Sequence, residues 1–271
     1  MKLSNIFSKR NKVLLRELVV TDFKLRYQNS VLGYAWSLLK PLFLFAIMYV
    51  VFVHFLRFGE GIEHFAPMLL LGLVLWGFFT EATKQGMNSI TSKGNLLRKI
   101  NFPKYILVIS ATVSAFINLL LNLIVVFVFM AIDGVSFSWM ILLFPFSLIL
   151  LYGFALALAF FFAALSVKYR DISYIWDVII QAMFYGTPIF YPIQMVMAFS
   201  TQAAQVLMLN PVAVIIQDAR ALLVGSENAV TASQLFSNPV YLAIPYAIIV
   251  VFAVLAVWYF KKKQARFAED A

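Results

Sequence analysis

Six stretches of mostly apolar residues, at about 37–56, 65–83, 105–132, 139–165, 174–192 and 240–260, leave this chain few ways to fold in water. A helix needs about 20 such residues to cross the hydrocarbon layer. Within the six stretches the only Lys, Arg, Asp or Glu residues are Lys40, Glu81 and Asp177. The chain as a whole is 63% hydrophobic and 12% charged, against roughly 45–50% and 25% in soluble domains. Its apolar side chains must therefore face lipid as well as a core, and the expected fold class is an all-α integral membrane protein with six transmembrane helices. There is no Cys, and His54 and His64 stand apart. No thiolate nucleophile, disulfide or His/Cys metal cluster is expected.

Orientation follows from the basic residues between the stretches. Of 21 Lys and Arg, 19 fall in the N-terminal segment to Lys40, in 84–104, at Lys168 and Arg170, and after residue 260; Arg57 and Arg220 lie on the other side. That bias predicts an even number of spans with both termini cytoplasmic, in a multi-pass membrane protein. It also reads the net charge of +9 as topology rather than as a nucleic-acid surface. The opening MKLSNIFSKRNKVLLRELVVTDFKLRYQ is too polar and too extensively basic for a cleaved signal, and is expected to be retained.

The division expected is a cytoplasmic N-terminus (1–36), a transmembrane domain (37–260) and a basic tail (261–271). In 12–27, Leu14, Leu15, Leu18, Val19 and Leu25 share one helical side and Arg16, Glu17, Thr21 and Lys24 the other, a pattern suited to an amphipathic helix at the membrane interface. Asp22 and Arg26 interrupt the apolar side. Segment 84–104 is basic and broken by Gly94, and on composition alone a solvated loop suits it equally well. Residues 178–217 carry no charge over 40 positions, too many for one span, and Pro188, Pro192 and Pro211 interrupt them. Between spans five and six (193–239) the chain must therefore re-enter the membrane or lie flat on it. A short helix there is capped by Asn210-Pro211, stopped by Gly225, and amphipathic, with Gln217 and Arg220 opposite its apolar face; it suits the outer boundary or a plug packed against neighbouring helices.

Catalytic signatures are missing: no paired carboxylates, no His-Glu-x-x-His and no Ser/Lys dyad at helical spacing. Asp171 with Asp177, and Glu269 with Asp270, give a metal-dependent transferase little to work with. No phosphate-binding loop is present, so uphill transport would draw on ATP bound elsewhere. Two aromatic stripes stand out instead. Phe45, Tyr49, Phe52 and Phe55 share a face of the first span; in the fifth, Tyr174, Asp177, Gln181 and Phe184 recur at steps of three and four, with Tyr185 beside them. Aromatic faces with polar groups suit a sugar chain, although each aromatic alone also fits helix packing or an interfacial belt.

Residues 18–42, LVVTDFKLRYQNSVLGYAWSLLKPL, resemble the opening pattern RDLKxRYxxSxLGxxWxxxxPL of permeases in type-2 ABC transporters that export cell-surface polysaccharides, with Thr21 where Arg is common. LLRKINFPKYILVIS (96–110), VKYRDI (167–172), TPIFYPI (187–193) and NPVAVIIQDARALLVG (210–225) follow in that family's order, so the resemblance spans nearly the whole chain. It implies a homodimer of six-span permeases, each docked on a separate subunit that binds ATP and Mg, with no cofactor or catalytic site in this chain. Residues 84–104 would carry a coupling helix whose contacts are Leu96, Leu97, Arg98, Lys99 and Phe102. The first and fifth spans would line a conduit through Phe45, Tyr49, Phe52, Phe55, Tyr174, Asp177, Gln181, Phe184 and Tyr185. The cargo would be a lipid-linked glycan such as O-antigen, capsule or teichoic acid. Its pyrophosphate would meet Lys24, Arg26, Lys40, Lys168 and Arg170, residues equally suited to anchoring ordinary lipid phosphates. The other readings are a permease for a drug or another lipid, or an ATP-independent channel.

Overall fold

The computed structural model describes residues 9–27, 32–33, 35–94, 96, 102–225, 227–264 and 267, and among these there is helix and no strand. Helix α1 (Lys9–Tyr27) is followed by α2 (Ala35–Met48), which runs on as a π-helical stretch, Tyr49–Phe55. Then come α3 (Phe65–Asn88), α4 (Tyr105–Ile132), and α5 (Phe144–Ser166) with a 3-10 lead-in, Trp139–Leu143. Helix α6 (Ile172–Tyr185) precedes four shorter elements, α7 (Ile193–Phe199), α8 (Thr201–Leu207), α9 (Pro211–Val224) and α10 (Ala232–Leu235); α11 (Pro239–Lys263) closes the bundle. Five of these stretches are long and apolar enough to cross a bilayer: 35–55, 65–88, 105–132, 139–166 and 239–263.

The fifth expected span needs correction. Helix α6 has 14 residues, a rise of about 21 Å where the hydrocarbon core is about 30 Å. Gly186 ends it, and Pro188 and Pro192 keep 187–192 non-helical, because proline lacks the amide hydrogen and disfavours helix at the preceding residue. Short helices follow it, and α8 and α9 meet at 101°, the bend of a broken span or of a re-entrant loop.

Helix α3 is the hub. Buried positions make up 78% of its most apolar window, against 6% in α2 and 11% in α11. Small residues allow this: Gly86 lies so close to Ala159 of α5 that no Cβ would fit, which brings the two backbones together. Leu69, Leu71, Leu75 and Phe79 are then wholly enclosed by neighbouring helices.

At the basic end, the amphipathic face of α1 packs Leu14, Leu15 and Leu18 onto a cluster containing Phe102, Tyr105, Phe260 and Phe267. Asn11 Nδ2 donates to Tyr105 Oη at 3.3 Å. Asp22, which interrupts the apolar pattern, is the residue that ties α1 down: Lys93 Nζ donates to both its carboxylate oxygens at 2.7 Å. Helix α3 runs five residues past its expected end, to Asn88, and a 3-10 turn, Thr91–Lys93, follows. Of the coupling candidates, Leu96 is half-buried against the same cluster and Phe102 is buried within it. Leu97, Arg98 and Lys99 lie outside the described residues.

Of the two readings of α9, the plug packed among neighbouring helices is the one the structure has. Gln217 and Arg220, opposite the apolar face, are 2% and 3% exposed. The helix is enclosed on both sides because its polar stripe finds backbone carbonyls to bind. Its ends do follow the expected capping: Asn210 Oδ1 accepts from the Val212 amide at 3.0 Å, Pro211 occupies the first turn, and Gly225, at φ 99°, ends it.

Candidate functional site

A cavity of about 750 Å³ opens between α2, α3, α4 and α6. Its wall on α3 extends from Leu73 to Gln85, about 18 Å of helix. Trp36, Lys40 and Leu44 of α2 face it, as do Gln181, Phe184 and Tyr185 of α6. The α6 stripe is therefore split. Asp177 accepts an ion pair from Lys84 Nζ of α3 at 2.6 Å, and Tyr174 is 73% exposed.

The α2 aromatic stripe lies elsewhere. Phe45 is buried and meets Phe129 of α4 edge-on at 5.2 Å. Phe52 packs on Phe190 at 4.6 Å, while Tyr49 and Phe55 are exposed on the outside of the chain. Periodicity finds which residues share a helix face, but the neighbour met by that face depends on tertiary packing. Lys40, read as a headgroup contact, borders the cavity. Of the other headgroup candidates, Lys24 and Arg170 are exposed. Lys168 Nζ sits 5.0 Å over the Tyr169 ring. The Arg26 side chain is outside the described residues.

Deeper in the cavity is a polar cluster that the sequence reading passed over. Glu81 Oε1 accepts from Asn118 Nδ2 of α4 at 2.8 Å and from Gln85 Nε2 at 2.8 Å. Asn122 Nδ2 donates to the Asn118 carbonyl at 2.8 Å. The signal for it was present: Glu81 and Asn118 are polar residues within otherwise apolar spans.

Beyond the cavity the short elements close over the bundle. Phe190 gathers Phe184 at 5.5 Å, Tyr185 at 6.0 Å and Tyr191 at 5.0 Å. The loop carrying Phe190 is held from behind by Arg220 of α9. Its Nη1 donates to the Pro188 carbonyl at 2.6 Å and its Nη2 to the Ile189 carbonyl at 2.6 Å. Nε donates to the Met68 carbonyl of α3 at 3.0 Å, and Nη1 also reaches Gln217 Oε1 at 2.9 Å. One guanidinium thus joins α3, α9 and the 187–192 segment, using the planar fork of donors that Lys lacks.

Against known proteins, the family model described as ABC-2 type transporter, for the membrane component, matches residues 13–224. The chain belongs to the ABC-2 transporter family. The match runs from α1 through α9, so the cavity wall and the Arg220 clamp both fall within the ABC-2 region. Among relatives, the O-antigen export system permease protein RfbA of Myxococcus xanthus is 28% identical over 198 residues, 73% of this chain and 75% of that protein. The protein of the same name from Klebsiella pneumoniae is 27% identical over 258 residues, 94% of each chain. An ABC-2 membrane component is a transport subunit rather than an enzyme. Among the described residues no group of three or more His, Cys, Asp or Glu could hold a metal.

Proposed function

We propose that this chain is the permease of an ATP-driven exporter that carries a lipid-linked polysaccharide out of the cytoplasm. The cavity between α2, α3 and α6 would form its half of the path, and this cavity is the observation that carries the reading. It combines aromatic walls, including Trp76, Phe184 and Tyr185, with carboxamide and carboxylate side chains. A lipid or drug pocket would have little use for that polar wall, whereas a glycan presents both C–H faces and hydroxyls. The relatives are O-antigen export permeases by name. The charge-bearing termini face the cytoplasm of a bacterial cell membrane under the Lys/Arg bias.

The partners in this reading are a second copy of the chain, completing the path, and two ATP-binding subunits, which hold ATP and Mg. Segment 84–104 docks on those subunits, with Leu97, Arg98 and Lys99 as the contacts. Leu96 and Phe102 instead secure its base on the apolar cluster under α1. Lys40 borders the cavity, where an anionic headgroup would enter.

The test is to purify the full chain gently from native membranes, identify what accompanies it, and assay ATP hydrolysis with and without lipid-linked glycan. The expected result is a stoichiometric ATP-binding companion whose hydrolysis responds to glycan. Its absence, under conditions that preserve other membrane complexes, would support the channel.

A further inference from the structure

We propose that Glu81, Gln85, Asn118 and Thr80 form a binding subsite for an uncharged pyranose of the translocated chain, read through its hydroxyl groups. The proposal rests on the export reading and adds a location and a sugar class to it. Intramembrane acids are costly and are retained where they serve a path or a partner. Glu81 is two turns from the basic end of α3, and it faces a cavity rather than a dry helix contact.

Helix-to-helix adhesion is the plainer account of Asn118 and Glu81. An adhesive cluster, however, satisfies its own polar atoms. Here Thr80 Oγ1 and Asn118 Oδ1 are buried with no hydrogen-bond partner, and Asn118 is only 4% exposed. Burying such an atom unpaired forfeits its bond to water with nothing in return. Both residues border the cavity. A side-chain rotation would present an acceptor to a hydroxyl arriving there, and a pyranose can supply two adjacent ones.

The class of sugar follows from charge. Among the described residues that line the cavity Glu81 is the only acid, and at the subsite itself it would repel uronate or phosphate groups, Lys40 facing the cavity from α2. The nearby cation on the same helix, Lys84, is already engaged by Asp177 at 2.6 Å. Trp76 and Phe184, with ring centroids 5.9 Å apart, add an aromatic surface for the ring's C–H face.

The experiment has two arms. In cells, the gene is deleted and the surface polymer measured and its composition determined. In vitro, the full-length complex in nanodiscs is titrated with that polymer after mild acid has freed it of lipid, and binding is followed by tryptophan fluorescence. Loss of an uncharged-sugar polymer on deletion is expected. The wild-type complex should bind it, and Asn118→Leu and Glu81→Leu should weaken binding by about tenfold or more. Glu81→Gln preserves the shape and both amide contacts, so it tests the charged acceptor in a folded protein and should weaken binding several-fold.

Unchanged affinity in Glu81→Gln and Asn118→Leu, with export intact in wild-type cells, overturns the subsite alone. So does a polymer built on acidic sugars or phosphate repeats. Surface polymer that survives deletion overturns the export reading, and the subsite with it.

Discussion

The two ends of the cavity are held together by different chemistry. At the far end, one buried guanidinium binds three backbone carbonyls from two segments as well as a glutamine. Along the wall, α6 is joined to α3 by the Lys84–Asp177 ion pair, whose side chains are 39% and 53% exposed, and by one hydrogen bond, from Trp176 Nε1 to Thr83 Oγ1 at 3.2 Å. A solvent-exposed ion pair contributes little, whereas buried carbonyls deprived of their donor are expensive. The far end should therefore behave as a fixed frame and the α6 wall as the part that yields during transport.

Substitutions test that contrast most severely at Arg220. Arg220→Met leaves the carbonyls of Met68, Pro188 and Ile189 without their donor, at about 1–3 kcal/mol each. The expected outcome is a near-complete loss of monodisperse protein on size-exclusion chromatography, and Arg220→Lys should recover only part of it. Full recovery by Lys would show that charge, not the fork, holds the frame.

Gly72→Ala should come next. A Cβ there would lie 2.5 Å from Arg220 Nη2, and that group is pinned by its hydrogen bonds and cannot swing aside. A loss of about 1–3 kcal/mol is expected, seen as a lower thermal midpoint in detergent. Trp176→Phe keeps most of the ring packing and deletes the bond to Thr83, so a loss of about 1 kcal/mol is expected from the same measurement.

Asp177→Asn should have the smallest effect on stability, below about 1 kcal/mol. It should nevertheless raise amide hydrogen exchange in 172–185 while leaving α3 unchanged. Equal exchange in both helices would end the distinction between frame and wall.

Five of the spans, the amphipathic helix α1 and the caps of α9 were legible because each rests on a local pattern. Leu14, Leu15 and Leu18 share a face whatever they pack against, and Asn210-Pro211 caps a helix whatever surrounds it. The route through the molecule was less legible. Phe45 lies in the core against Phe129 while Lys40 borders the cavity, because the rotation of α2 is set by α3 and α4. Arg220 looked like the polar edge of a surface helix, since the carbonyls it binds are 31, 32 and 152 residues away in sequence. The Glu81 cluster had a signal in composition, but its partner Asn118 is 37 residues distant.

The break in the fifth span has a consequence for how the chain meets lipid. Non-helical backbone at membrane depth is tolerated only where protein or water satisfies it, and Pro188 and Pro192 bring carbonyls without amide hydrogens of their own. Arg220 supplies two hydrogens to that segment from the side, at Pro188 and Ile189, and Tyr191 Oη supplies another to the carbonyl of Tyr185. Side chains thus replace part of a missing helical ladder. A shortened span can then end inside the bilayer because its unmet acceptors face inward, and the same inward turn places Phe190 over the cavity's far end.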